Sequence, residues 1–152
     1  MRFIIVAVGR GGKGPEQALL SDYAARLRPP IEFKEVEERR SSSVDERKAR
    51  EAEKLLAAVP PGARIIALDE RGKSLGSVEL AHKLGAWEDD GVPATAFLIG
   101  GADGHDESLR AKADLVLALG ALTWPHMLVR AMIAEQIYRA RTILDGHPYH
   151  RV

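Results

Sequence analysis

The chain has 152 residues, no cysteine, and 22 basic residues balanced by 22 acidic ones, so its formal net charge is zero. That length fits one domain with a core that needs no cross-links, and the missing thiols exclude disulfides, Cys-ligated zinc and cysteine nucleophiles. A neutral balance supplies no bulk attraction to phosphate and argues against a nucleic-acid partner, unless a dimer gathers its basic groups on one face.

Residues Arg2 to Val8 form an apolar run rich in Ile and Val, the pattern of a buried parallel strand. A helix is predicted from Pro15, suited to a first turn, to Arg28, with Leu19, Leu20, Tyr23 and Leu27 at helical spacing. Pro29 and Pro30 stop it, and Ile31 to Val36 alternates as a short strand. Glu37 to Ser43 is a polar loop. Ser43 and Glu46 make a capping box for a helix reaching Ala58. Arg64 to Leu68 is the third predicted strand, and Ser77 caps a helix to Asp89. Thr95 to Ile99 is the fourth strand, Asp106 to Ala113 a short helix, Leu115 to Leu119 the fifth strand, and His126 to Leu144 the last helix. Strand-helix alternation without repeat or linker predicts a single α/β domain over residues 1–152 with a mostly parallel sheet flanked by helices. No stretch approaches the ~20 apolar residues of a membrane span, and no leader pattern opens the chain, so the expected setting is cytoplasmic, without membrane association.

The last helix carries Val129, Met132, Ile133, Ile137, Ala140 and Leu144 on one stripe, widened by Ala131, Ala134 and Tyr138. Two readings account for that width: a deeply packed core helix, or one shared between the sheet and a second subunit.

Several motifs invite chemistry. Gly9-Arg10-Gly11-Gly12-Lys13-Gly14 satisfies the dinucleotide-binding fingerprint, with Glu35 near the distance of a ribose-binding acid. Pro15 weakens that reading, because it removes a backbone donor where phosphates want amides. Gly72-Lys73-Ser74 resembles the end of a phosphate loop, but Ala67 stands where the first glycine belongs. The five histidines make no metal-ligand spacing, so no metal is expected. More informative is the stretch Ala96 to His126. Gly100, Gly101 and Gly104 follow one buried strand, Gly120 to Pro125 follows the next, and Leu68 to Lys73 follows an earlier one. In open α/β sheets ligands bind at the carboxyl ends of strands, and glycines there let main chain approach them. Three such loops can converge on one pocket.

The segments LIGGADG, LGALTWPHMLVR (Leu119 to Arg130) and HPYHR, with VAVG near the start and LDERGK at Leu68 to Lys73, resemble the RlmH family of SPOUT-class RNA methyltransferases. The resemblance runs in order along the whole chain. It departs at Ala102-Asp103, where Pro-Glu is frequent, at Trp124, where Leu is frequent, and at Met127, where Pro is frequent. It implies a SPOUT fold with a C-terminal trefoil knot, and a homodimer with cofactor pockets near the subunit interface. It implies S-adenosylmethionine-dependent methylation of N3 of a pseudouridine in the 23S rRNA of the large ribosomal subunit, within the assembled ribosome. The cofactor contacts it implies are Leu68, Gly100, Gly101, Gly104, Leu119, Gly120, Ala121, Leu122, Thr123, Trp124 and Pro125. Arg130, Tyr149, His150 and Arg151 are implied to face the rRNA, with His150 expected as general base, Tyr149 positioning it, and Arg130 or Arg151 binding phosphate or stabilising charge. From His126 onward, Arg130, Arg139, Arg141 and Arg151 outnumber Glu135 and Asp145, and two copies are expected to form a basic face. The alternative is a non-catalytic ribosome-associated factor that retains the cofactor pocket.

Overall fold

A computed structural model of the chain describes residues 1–40 and 43–151. The elements run β1 (Arg2–Val8), α1 (Pro15–Ala25), β2 (Glu32–Val36), α2 (Val44–Ala57), β3 (Arg64–Ser74), α3 (Ser77–Asp89), β4 (Ala94–Ile99), α4 (Glu107–Lys112), β5 (Leu115–Ala118) and α5 (His126–Leu144). The expected loop from Glu37 to Ser43 includes Ser41 and Ser42, which lie outside the described residues.

The five strands form one sheet in the order β2-β1-β4-β3-β5, and every pairing is parallel. Side chains alternate across it as a period of two demands. Phe3, Ile5 and Ala7 of β1 join Phe97, Ile99 and Ile66 against α1, α3 and α5. Ile4, Val6 and Val8 join Ala96, Leu98 and Ala67 against α2 and α4. The connections from β1 to β2 and from β3 to β4 move one way across the sheet with helices on one face. Those from β2 to β3 and from β4 to β5 move the other way with helices on the opposite face. A crossover of fixed hand requires this coupling of direction and face.

The width of the α5 stripe is satisfied within the chain. Ala131, Ile133, Ala134, Ile137 and Ala140 are buried, and Tyr138 packs in the same cluster, between the sheet and the flanking helices α1 and α3. Some boundaries differ from expectation. α1 stops at Ala25, three residues before Arg28, which precedes Pro29 and so is steered away from helix. Gly76, not Ser77, caps α3: Ser77 is its first residue and donates to Gln136 (2.9 Å), while Glu79 accepts from the Gly76 N–H (3.3 Å). Ser43 caps α2 as expected, accepting from the Glu46 N–H at 3.1 Å.

The largest difference is β3. It continues past Leu68 to Ser74, with a register break in which Leu68 and Lys73 both pair with Leu117. Gly72 makes this possible. A Cβ there would lie 2.6 Å from the Val116 carbonyl carbon and oxygen. The apparent phosphate-loop remnant is therefore a close backbone approach.

Candidate active site

Because all strands are parallel, their carboxyl ends share one edge. There the loops after β3, β4 and β5 enclose a cavity of about 300 Å³. Leu68, Gly100, Gly101, Gly104, Leu119, Gly120, Leu122, Thr123 and Trp124 line it, so nine of the eleven expected cofactor residues are brought together. Ala121 and Pro125 do not line it; Ala121 is exposed on the same loop and Pro125 caps α5.

Glycine shapes the walls. Gly104 adopts φ +79° and its N–H donates to the Gly101 carbonyl at 3.0 Å, folding the loop back on itself. A Cβ on Gly100 would stand 3.1 Å from the Gly104 carbonyl carbon, and one on Gly101 would stand 3.1 Å from Val8. A Cβ at either position would crowd these neighbours, and the bare main chain presents amides and carbonyls to the cavity. Across from it, Trp124 donates its indole N–H to the Leu119 carbonyl (3.0 Å), holding the last loop closed. Leu122 is 74% exposed and Trp124 37%, two large apolar side chains standing together at the cavity rim.

Residues absent from the expected set complete the pocket. Asp69, Asp103, His105 and His126 line it. His105 is buried and its Nε2–H donates to the Leu98 carbonyl at 3.0 Å. Burial holds this imidazole below the ordinary histidine range, so it is neutral at pH 7. Arg110 donates to the His105 carbonyl (2.7 Å) and pairs with Asp69 (3.5 Å), tying the β3 and β4 loops together. Behind Gly101 lies Glu51 of α2, 7% exposed, whose Oε1 has no hydrogen-bond partner. Burial, then the neighbouring Asp103 charge, pushes this carboxyl up. A polar residue just after a glycine run at a strand end was the one signal that could have marked His105. Glu51 gave none.

Arg130 differs from expectation. It is 2% exposed, and its guanidinium donates to Glu35 (2.6 Å) and to the carbonyls of Val8 (3.2 Å) and Gly9 (3.1 Å), above the Phe33 ring. Within one chain the guanidinium is thus committed to Glu35 and to main-chain acceptors. Burial alone would raise the Glu35 carboxyl, but the bonds from Arg130 and the Gly11 N–H outweigh it and hold the group below its usual range. The dinucleotide reading fails at the same place. Its ribose acid is occupied by Arg130, and a Cβ on Gly11 would lie 2.8 Å from the guanidinium. Gly11 makes room for an ion pair.

Within one chain the arginines of α5 are all ion-paired. Arg130 pairs with Glu35, Arg139 with Glu135 (2.5 Å), and Arg141 with Glu88 (2.6 Å) and Asp145 (3.5 Å). Arg151 remains exposed.

The tail lies on the α1–α5 surface. The Tyr149 hydroxyl donates to Glu135 (2.9 Å) and sits 3.2 Å from the Tyr23 hydroxyl, and its ring meets Tyr138 edge-on at 4.7 Å. Burial, then the bonds to Tyr23 and Glu135, pushes this phenol well up. His150 Nδ1 lies 3.0 Å from Arg139 Nη1. His126 at the start of α5 lines the cavity, and Arg139 follows thirteen residues later, about 20 Å along the axis. Within one chain the tail and the cavity are therefore far apart. No group of three or more metal-ligating side chains occurs among the described residues, and none of their helices is long and apolar enough to cross a membrane.

Comparison with known proteins places the chain in a family. A family model described as "Predicted SPOUT methyltransferase" matches residues 1–150. The proteins named ribosomal RNA large subunit methyltransferase H from Paramagnetospirillum magneticum and Rhodospirillum rubrum are each 57% identical over 151 residues, covering 99% of both chains. The protein of the same name from Brucella anthropi is 51% identical over 159 residues, again covering 99% of both chains. Among solved structures, the SpoU methyltransferase AviRb from Streptomyces viridochromogenes, in complex with the cofactor AdoMet, aligns with 92% of the chain at 12% identity and a TM-score of 0.47; the chain spans 58% of its length. The chain belongs to the SPOUT methyltransferase family and, within it, to the RlmH group.

Proposed function

We propose that the protein is a homodimeric enzyme that uses S-adenosylmethionine to methylate N3 of a pseudouridine in 23S rRNA, acting in the cytoplasm on the assembled large subunit. The observation that carries this reading is the convergence of three strand-end loops on one cavity walled by glycine main chain. Such a wall suits an adenine and ribose held by backbone hydrogen bonds. Leu68, Leu119 and Leu122 supply apolar surface around them. Ala121 and Pro125 act by shaping their loop. When bound, the methyl donor supplies an activated sulfonium that leaves without acid catalysis. The chain's task is then mainly alignment of methyl and N3. The same reading threads the segment after β5 through its neighbouring loops as a trefoil knot.

Two features support the dimer in this reading. Leu122 and Trp124 stand exposed at the cavity rim, where a second copy would cover them. The tail of one chain cannot reach its own cavity, so Tyr149, His150 and Arg151 serve the cavity of the partner. The exposed Lys13 and Arg151 offer phosphate contacts in place of the ion-paired arginines of α5. The curated relatives carry an enzyme's name, which favours catalysis over a non-catalytic ribosome factor.

The test is incorporation of labelled methyl from S-adenosylmethionine into ribosomes lacking the endogenous modification, with mass mapping of the rRNA. The expected product is one methyl on a large-subunit pseudouridine. Cofactor binding without transfer would overturn the enzymatic reading.

A further inference from the structure

We infer that Arg139 fixes His150 as a hydrogen-bond donor to the target base, not as the general base expected from its residue type. The inference rests on the functional reading above, in which the tail serves the partner's cavity.

A guanidinium has donors only and keeps its charge. With Arg139 Nη1 at 3.0 Å, His150 Nδ1 must therefore be the acceptor. A neutral imidazole carries one hydrogen, which then sits on Nε2. The ring's lone pair is occupied, and its other nitrogen offers N–H. Taking a proton from N3 would require breaking the bond to Arg139.

Arg139 is not free to swing away. Its Nε and Nη2 both donate to Glu135 Oε1, at 2.9 and 2.5 Å, and its guanidinium lies 4.9 Å from the Tyr149 ring centre. Glu135 also accepts from the Tyr149 hydroxyl, which in turn meets Tyr23 of α1. The charged and titratable groups around the tail are thus Arg139 and Glu135 from α5, Tyr23 and Arg26 from α1, Tyr138, and Tyr149 and His147 of the tail itself. Arg139 is in these terms a positioning residue, and His150 is the group that touches substrate.

The chemistry suits a donor. N3 of pseudouridine lies between two carbonyl carbons, and loss of its proton spreads negative charge onto both oxygens. An N–H aimed at one of them stabilises that charge as it forms. The N3 proton itself would leave to water, and the N3 lone pair would form the new bond to the methyl carbon as the methyl–sulfur bond breaks, its electron pair leaving with the neutral thioether.

Two measurements on the full-length dimer test this. In protein carrying ¹⁵N-labelled histidine, long-range proton–nitrogen correlation at about pH 8, where ordinary imidazoles are neutral, reports the tautomer of each ring. His150→Gln identifies the His150 signals. The expected pattern is Nε2 protonated and Nδ1 bare, shifting toward a tautomer mixture in Arg139→Met. Protonated Nδ1 in the wild type, or no shift in Arg139→Met, would overturn the inference. The second measurement is methyl transfer. Glutamine keeps an N–H near the Nε2 position but cannot act as a base, so His150→Gln should retain at least about tenfold more turnover than His150→Ala. Equal losses, in the ~10²–10⁴-fold range of a missing general base, would also overturn it. Absence of transfer by the wild type sinks the functional reading instead, and the nitrogen signals still decide the tautomer.

Discussion

Replacing Arg130 by methionine preserves side-chain length and removes the guanidinium. The carbonyls of Val8 and Gly9 lose a donor, at about 1 kcal/mol each. Glu35 loses its ion-pair partner, but its side chain is 33% exposed. Water therefore compensates part of the ~3–5 kcal/mol seen when a fully buried pair is broken. About 3 kcal/mol of destabilisation is expected, a large share of the ~5–15 kcal/mol of a typical domain. Urea unfolding followed by circular dichroism reads it, at one fixed protein concentration because the proposed dimer would couple stability to concentration. Glu35→Gln should cost less, and the double variant should cost less than the sum, since each single change already breaks the pair. Arg130→Met with unaltered stability and a raised KM for ribosomes alone would refute this reasoning and restore a substrate-contacting role.

Gly72→Ala would drive a methyl against the Val116 backbone, which cannot move aside as a side chain can. A loss near about 3 kcal/mol, the upper end for overpacking, and weaker S-adenosylmethionine binding by calorimetry are expected; wild-type values would show that the β3 bulge does not depend on glycine. Glu51→Gln tests the buried carboxyl beneath Gly101. An acid with a raised folded pKa favours the folded state below its unfolded pKa of about 4.3 and loses that advantage as pH rises through the folded value. The variant should therefore have a higher Tm than wild type at about pH 7–8, with the gain gone near about pH 4; an equal difference at both pH values would contradict the assignment. Leu122→Ser combined with Trp124→Ala should weaken the proposed dimer by at least about a hundredfold in sedimentation velocity, since two side chains at about 1.5 kcal/mol each amount to about 3 kcal/mol per chain. An unchanged dimer constant would place the interface elsewhere.

Much of this was legible before any coordinates. β1 and β4 read as unbroken apolar runs because both faces of a central parallel strand are covered. The cavity loops read as glycine clusters at strand ends. The continuation of β3 was hidden because Asp69 to Lys73 is polar, as befits a segment paired on one side only beyond a register break. Arg130 and Glu35 are 95 positions apart, and nothing local tells a charge that will be buried from one that will meet solvent. Arginines on α5 looked like a surplus because only the folded chain brings Glu35 and Glu88 to them. Gly11 carried a familiar signature with an unfamiliar cause: space for a guanidinium, where the motif suggested a pyrophosphate.

The strand order has a consequence for synthesis. β1 needs β2 on one side and β4 on the other, and β4 ends about 90 residues after β1 does. At ~5–20 residues per second of translation, one edge of a strand that is apolar from Phe3 to Val8 stays without its partner for roughly 5–20 s. The β3–β4–β5 half that forms the cavity is completed later still. A nascent chain of this protein therefore carries an unsealed strand edge through most of its time on the ribosome. Early folding rests on β1, β2 and the helix between them, and ligand binding cannot assist until nearly the whole chain has emerged.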